Sequence, residues 1–383
     1  MICREISRTL TRAQIENHIL YAVGQTEDPL WIRYSNDREI RIQALRSRLS
    51  GRYGFVSQKM TERLIGELRR LQPDIVHLHN LHSHNCDLSM LLEYLAADRI
   101  RVVWTFHDCW AFTGYCTHYM MSGCAQWQTG CAHCPQRGHF SWLFDRSAEL
   151  YDAKRRLTDA LDLTLVAPSE WMAEQIRHSF LCGHEICVIR NGIDLQVFQP
   201  TPGNFRERNG LQDRFVILGV ASDWGRRKGL DVFLALSKRL DDRFRIVLVG
   251  TNEHIERQLP PGVLSVRRTA DRRELAALYS TADIFLNPTR EDTFPTVNLE
   301  ALACGTPVVT FDTGGSPEAL TADCGVVVPQ DNLFALEAAV RSVCGDRSFS
   351  AEQCMARAAQ FDQAEAFQQY LALYRWLDMK KRW

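Results

Sequence analysis

Asp292 and Glu300 stand eight positions apart in REDTFPTVNLEALACGTPVV (290–309), with Pro295 between them. The spacing predicts a loop carboxylate followed by a second one on the helix that the loop leads into. Pro295 is expected at the first helical position, where its missing N–H costs nothing, with Glu300 about one and a half turns further on. Gly305 and Pro307 then end the helix and release the chain into the apolar strand PVVTF. Both acids are expected to face one cleft at a helix N-terminus. A second feature is TGGSPEAL, where Gly314 and Gly315 let backbone approach a ligand, Ser316 is the expected N-cap and Pro317 the expected first helical residue. A third is WGRRKGL, which sets Arg226, Arg227 and Lys228 just before another helical pattern. A glycine pair alone is a turn, and a basic triplet alone is a solvated face. Together, beside helix N-termini, they point to a diphosphate.

The cysteines pose a separate question. Cys116, Cys124, Cys131 and Cys134 read C-x7-C-x6-C-x2-C, with Cys109, His118, His133 and His139 nearby. Four thiolates with one close pair can close a tetrahedral zinc site. The alternative is a mixture of small buried residues and free thiols in a long loop. A zinc here would be structural and not catalytic. Thirteen cysteines, with no apolar run of signal-peptide length at the start, argue against a disulfide framework and for a cytoplasmic chain.

The elements that must position these residues follow from the rest of the chain. Its 383 residues exceed one ordinary core and predict about two domains. A hydrophobic fraction of 45% and a charged fraction of 24% are those of a globular protein, and no run reaches the roughly 18 apolar residues of a membrane span. The formal net charge of −1 argues against a general nucleic-acid binder, although residues 31–75 carry ten Arg and Lys against five acids. Apolar runs such as DIVHLH, RVVWTF, LTLVAP, RFVILGVA, FRIVLVG, DIFLNP and PVVTF alternate with helical patterns at 57–71, 85–97, 170–181, 229–240 and 271–281. That alternation predicts an α/β fold of two doubly wound Rossmann-like domains, whose ligands bind beyond the carboxyl ends of the strands. The Pro- and Gly-rich segment 199–213 is the expected linker, giving domains at 1–198 and 199–365. A last helix over 366–383 is expected to return to the first domain.

Taken in order, PDIVHLHN, VVWTFHDCWAFTGYC, APSEW, RNGID, KGLDVF and ADIFLNPTREDTFPTVNLEALACGTPVVTFDTGGSPE resemble the retaining GT4 group of GT-B glycosyltransferases. Within it the chain is similar to the branch that builds bacterial exopolysaccharide, O-antigen or colanic acid. The resemblance covers nearly the whole chain. It implies a nucleotide-sugar donor, UDP- or GDP-linked, on the second domain, and a saccharide or lipid-linked oligosaccharide acceptor on the first. By the same resemblance Glu300 holds the ribose hydroxyls, and Asp292, one methylene shorter than the family's glutamate, meets the donor sugar with Glu291 as its alternate. Thr293, Phe294, Gly314 and Gly315 complete the donor contacts. Lys228 neutralises the leaving diphosphate, and Arg226 or Arg227 substitutes for a family arginine whose place Asp223 takes. His107 lies near the anomeric centre and acts by hydrogen bonding. No metal or other cofactor is needed for catalysis.

Four further expectations follow. Asp292 and Asp223 leave open a catalytically impaired, nucleotide-sugar-binding remnant, and the cysteines leave open a zinc-based interaction module. The basic segment, with Leu45, Leu49, Tyr53 and Phe55, is a candidate for peripheral contact with an anionic membrane face. Finally, the polar run CREISRTLTRAQIENH leads directly to ILYAV, which resembles the family's second strand. The first strand and its glycines are therefore expected to be missing, and the chain to be N-terminally shortened.

Overall fold

Short apolar strands alternate with longer helices along the chain, and the alternation closes on itself twice. The computed structural model describes residues 2–82 and 84–380. One compact unit runs to Ile189 and takes back the chain from Phe367 on; the second is Arg190–Ala366.

In the first unit β1 (Ile19–Tyr21) and β2 (Trp31–Arg33) form a parallel pair of their own. Then β3 (Ile75–His79), β4 (Arg101–Thr105), β5 (Leu163–Ala167) and β6 (Glu185–Val188) form a four-stranded parallel sheet in that order. The expected doubly wound sheet is thus in two pieces among the described residues, and β3 is an edge strand. One face of the larger piece carries the helices Gln58–Leu71 and Leu88–Ala97, whose Leu64, Leu68, Leu91 and Leu95 join its main core. The other face packs Val103 and Val166 against Ile6 of the helix Ile2–Arg12 and Tyr370, Leu373 and Leu377 of the helix Gln363–Lys380.

The second unit adds β7 (Phe215–Val220), β8 (Phe244–Val249), β9 (Val263–Val266), β10 (Ile284–Asn287), β11 (Val308–Phe311) and β12 (Gly325–Val328). Their order is β12-β11-β10-β7-β8-β9, with every pairing parallel. Strand β10 is buried throughout, as continuous apolar runs require when helices cover both faces. The order reverses between β7 and β10, and at such a switch point the loops leaving the two strands diverge and open a crevice for a ligand.

Three expectations change here. The units divide at Ile189/Arg190 and not at 198/199, because Ile193 and Phe198 are buried in the second unit's core; the proline-rich 199–213 segment lies within that unit. Strands β2 and β9 stood outside the sequence reading. In the basic region, Phe55 is only 4% exposed and so is not a membrane contact, while the half-buried Tyr53 ring packs edge-on to His84, Trp110 and Phe140.

Candidate functional site

The loops that follow β7 and β10 meet at the switch point and are tied by backbone. After β7 the chain makes a 3-10 turn at Arg226–Lys228 and passes through Gly229 with φ +75°. A Cβ on Gly229 would stand 2.4 Å from the Pro288 carbonyl, so the close approach of the two loops demands glycine. Arg290 donates its N–H to the Arg227 carbonyl at 2.9 Å. The Arg290 guanidinium is buried and forks onto Asp231 at 2.8 and 2.9 Å, reaching Asp331 at 2.7 Å and the Arg226 carbonyl. Its pKa is raised further, chiefly by the Asp231 hydrogen bonds. This clamp, which the sequence reading did not identify, fixes the turn that presents Lys228. The Lys228 ammonium in turn meets Asp292 Oδ2 at 2.6 Å, each side chain about one-fifth exposed (20% and 18%).

Gly314 and Gly315 serve this loop directly. Gly314 has φ +55° and a Cβ there would sit 1.9 Å from the Asp292 carbonyl, which also accepts the Gly315 N–H at 3.1 Å. The expected helix N-terminus beyond them is not formed: Pro317–Ala319 is a single 3-10 turn and Ser316 caps nothing with its side chain. Its hydroxyl instead joins a buried polar network, 2.7 Å from Thr310 Oγ1 and accepting from Asn298 Nδ2 at 3.0 Å. Asn298 itself accepts from Asn287 Nδ2 at 2.8 Å. A fully satisfied network of this kind holds strand ends and helix start in one geometry.

Glu300 sits on the helix Thr296–Ala303, which begins one residue later than expected, with Pro295 as its N-cap. Tyr279, fully buried on the helix Arg272–Thr281, donates its hydroxyl to Glu300 Oε2 at 3.0 Å. Burial pushes the Glu300 carboxyl up to about 6, against the lowering effect of the Tyr279 bond and of Arg272. Tyr279 escaped the sequence reading, although a tyrosine on a buried helical face must find a partner for its hydroxyl. The two acids of the opening motif are therefore held separately, Asp292 by Lys228 and Glu300 by Tyr279. Glu291 is buried at 5% exposure, with its carbonyl accepting from Thr289. Phe294 faces the core against Phe361, and Thr293 is also buried; what they can offer a ligand is main chain. Asp223 and Arg226 are exposed.

The first unit holds a histidine cluster at the ends of β3 and β4. His107 Nε2 and His79 Nδ1 are 2.9 Å apart, and His77 Nε2 lies 2.7 Å from Thr105 Oγ1 with its Nδ1 on the Tyr374 hydroxyl. Burial lowers the pKa of all three histidines, that of His77 to about 3. Asp108 pairs with His82 at 2.9 Å; burial raises its pKa, and the His82 bond and charge, the Trp110 N–H and His118 together bring it below the ordinary value. The His79–His107 pair fixes which way the His107 ring turns.

The cysteines come together only in part. Cys116 and Cys134 thiols lie 3.7 Å apart, and Cys131 Sγ accepts the Gly114 N–H at 3.2 Å. Among the described residues no three His, Cys, Asp or Glu side chains are arranged to hold a metal ion. Cys109 is buried in the core.

Two α/β units with parallel sheets define the GT-B class of glycosyltransferase architecture. Sucrose-phosphate synthase from Thermosynechococcus elongatus superposes with a TM-score of 0.71 at 17% identity, over 99% of this chain and 93% of that one. Anabaena HepE in complex with UDP-glucose superposes with a TM-score of 0.62 at 16% identity, over 90% and 85%. The chain belongs to glycosyltransferase family 4: the model described as Glycosyltransferase Family 4 matches residues 2–197, and that described as Glycosyl transferases group 1 matches 213–346. It is 26% identical to the putative colanic acid biosynthesis glycosyl transferase WcaC of Escherichia coli (strain K12), over 70% of this chain and 67% of WcaC. It is 25% identical to the sulfoquinovosyl transferase SQD2 of Arabidopsis thaliana, over 70% of this chain but 48% of SQD2.

Proposed function

We propose that the chain is a retaining glycosyltransferase that moves a sugar from a UDP- or GDP-sugar to a saccharide or lipid-linked saccharide of a surface polysaccharide. The observation that carries this is the gathering of Lys228 and Asp292 at the β7/β10 switch point, with Glu300 on the helix that follows. The WcaC likeness supports the polysaccharide role, and the UDP-glucose complex of HepE supports the donor class.

In this reading Glu300 accepts hydrogen bonds from the ribose hydroxyls, and Asp292 accepts from the donor sugar. An ammonium has three donors, so Lys228 keeps two for phosphate oxygens while one serves Asp292. The anomeric carbon–phosphate oxygen bond breaks towards an oxocarbenium-like transition state, and the acceptor oxygen bonds to that carbon on the face the phosphate leaves. The leaving phosphate takes the acceptor's proton. Negative charge grows on the departing diphosphate, where Lys228 stabilises it with Arg226 or Arg227 and no divalent cation. Neutral His107, oriented by His79, hydrogen-bonds near the reacting centre. A donor-binding protein without turnover is the second reading, favoured by the exposed Asp223 where the family has arginine. Release of nucleotide that requires an acceptor supports the transferase; tight donor binding with no release under any acceptor supports the second reading.

For the cysteines we infer a structural zinc, formed as Cys124 and Cys131 close onto the Cys116–Cys134 pair. The 3.7 Å between those two thiols matches two thiolates on one tetrahedral zinc with bonds of about 2.3 Å.

A further inference from the structure

The helix Asp37–Ser50 is built inside out. It is well specified, with an Asn36–Glu39 capping box at one end and Gly51 at φ +72° at the other. Yet its two buried residues, beside Ile40 on the core, are Gln43 and Ser47, whose Oε1 and Oγ find no hydrogen-bond partner among the described residues, while Ile42, Leu45 and Leu49 on its outer face are 43%, 51% and 42% exposed. Positions 42, 45 and 49 recur at helical spacing, so they form one stripe.

A second element extends that stripe. Trp142, Leu143 and Phe144 are consecutive and 53%, 58% and 51% exposed. They do not hang free: Trp142 donates its N–H to the Arg48 carbonyl at 2.8 Å, and Arg146 Nε donates to the Ser50 carbonyl at 2.8 Å. The Arg48 guanidinium lies 5.7 Å over the Trp142 ring. A Cβ on Gly51 would come within 2.8 Å of the Phe144 carbonyl, so the loop is seated on the helix end. Six large apolar side chains are thus presented by two rigidly joined elements, whereas among the described residues the other exposed large apolar side chains stand singly along the chain. An apolar surface of this kind on a folded protein marks a docking site.

The charges around it select the partner. Arg38, Arg41 and Arg46 are exposed on the same helix. Its acids, Asp37 and Glu39, lie in the first turn and are neutralised by Arg33 and Arg63. On the loop side Glu149 is engaged by Arg52 and Arg146, and Asp145 accepts the N–H groups of Cys134 and Ser147. What remains is apolar and cationic. We propose that this face is an anionic-lipid docking surface, on which Trp142, Leu143, Phe144 and the Ile42/Leu45/Leu49 stripe enter the interface while the arginines meet lipid phosphates. No described helix is long and apolar enough to cross a membrane.

The test uses the full chain and vesicles of neutral phosphatidylcholine with or without anionic phosphatidylglycerol, read by flotation. Binding is expected on the anionic vesicles and to weaken with salt. Leu45→Ser with Leu143→Ser should reduce it roughly tenfold or more, and Arg41→Ser with Arg46→Ser should remove the salt-sensitive part. Because all four residues are exposed, the thermal transition should not move. Phe334→Ser, at 72% exposure on the second unit, should leave binding unchanged. No binding to anionic vesicles, or equal binding by the Leu45/Leu143 variant, overturns the proposal. So does a concentration-dependent dimer that the same substitutions dissolve without any vesicle binding, since the face would then fit a second copy of the chain.

Discussion

In the second unit the groups with chemistry to offer are gathered at the ends of two adjacent central strands and locked by backbone contacts. In the first unit three histidines line β3 and β4, beside the edge of a sheet that is in two pieces. Burial also shifts the two sets in opposite protonic senses: it holds the Glu300 carboxyl towards its protonated form and the histidines towards their neutral one. Both shifts disfavour charge, but one makes its unit prefer acid and the other makes its unit avoid it. The difference teaches that donor binding and the histidine cluster can be perturbed separately.

The largest separation should come from substitution. Lys228→Ala and Glu300→Ala are each expected to lower transfer about a hundredfold or more while the chain still unfolds cooperatively, because one loses leaving-group charge and the other a ribose contact. Near-normal rates in either would remove the second unit from the chemistry. Next in size is acid lability of the first unit. His77 has an ordinary value of 6.5 and a folded value of about 3, so the stability of its neutral form is full above 6.5 and is lost as pH falls from there towards 3. Hydrogen exchange corrected for intrinsic rate should show β3 and β4 peptides losing protection in that window before β7 and β10 peptides do. Simultaneous loss would erase the comparison.

Smaller effects sharpen it. Gly314→Ala should destabilise by more than about 1 kcal/mol and weaken donor binding through the displaced Asp292 loop, whereas Gly345→Ala, where a Cβ meets nothing, should do neither. Asp292→Glu should keep or improve transfer, restoring the family's reach; a collapse would show that the pairing with Lys228 has rebuilt the loop around the shorter acid. The smallest is a pH effect at Glu300. Its folded value of about 6 lies above the ordinary 4.5, so its contribution is full below 4.5 and lost as pH rises through 6; Glu300→Gln should gain relative stability across that interval. A melting difference that is flat between those values would contradict the burial of that carboxyl. For the cysteines, metal analysis of protein purified under reducing conditions should give about one zinc per chain, lost in Cys134→Ser; none would end that reading.

Much of the second unit could be read from sequence because its site is local. WGRRKGL, REDTFP and TGGSPE each follow a strand directly, and a Gly at positive φ leaves a mark in the chain even where its partner is a distant carbonyl. What was hidden is contact across long separations. Arg290 gains its role only through Asp231 and Asp331, and Tyr279 through Glu300, and no local pattern carries either contact. The first unit was harder for the same reason. His77 is tied to Tyr374 on a helix at the other end of the chain, and its cluster depends on the register of β3 with β4, which no motif encodes. Ser316 misled because a Ser-Pro after two glycines favours a helix start locally, while Thr310 and Asn298 claim its hydroxyl. Phe55 and Leu45 have similar polarity in a basic stretch; only packing separates a core ring from an exposed stripe.

The central claim is that the β7/β10 switch point is a nucleotide-sugar site. It is tested most directly by a crystal structure of the full chain with UDP or GDP, whichever raises the melting temperature more. The account predicts the diphosphate within hydrogen-bonding distance of Lys228 Nζ and the ribose hydroxyls on the Glu300 carboxylate. A nucleotide bound away from both residues, or no nucleotide bound at saturating concentration, would contradict it.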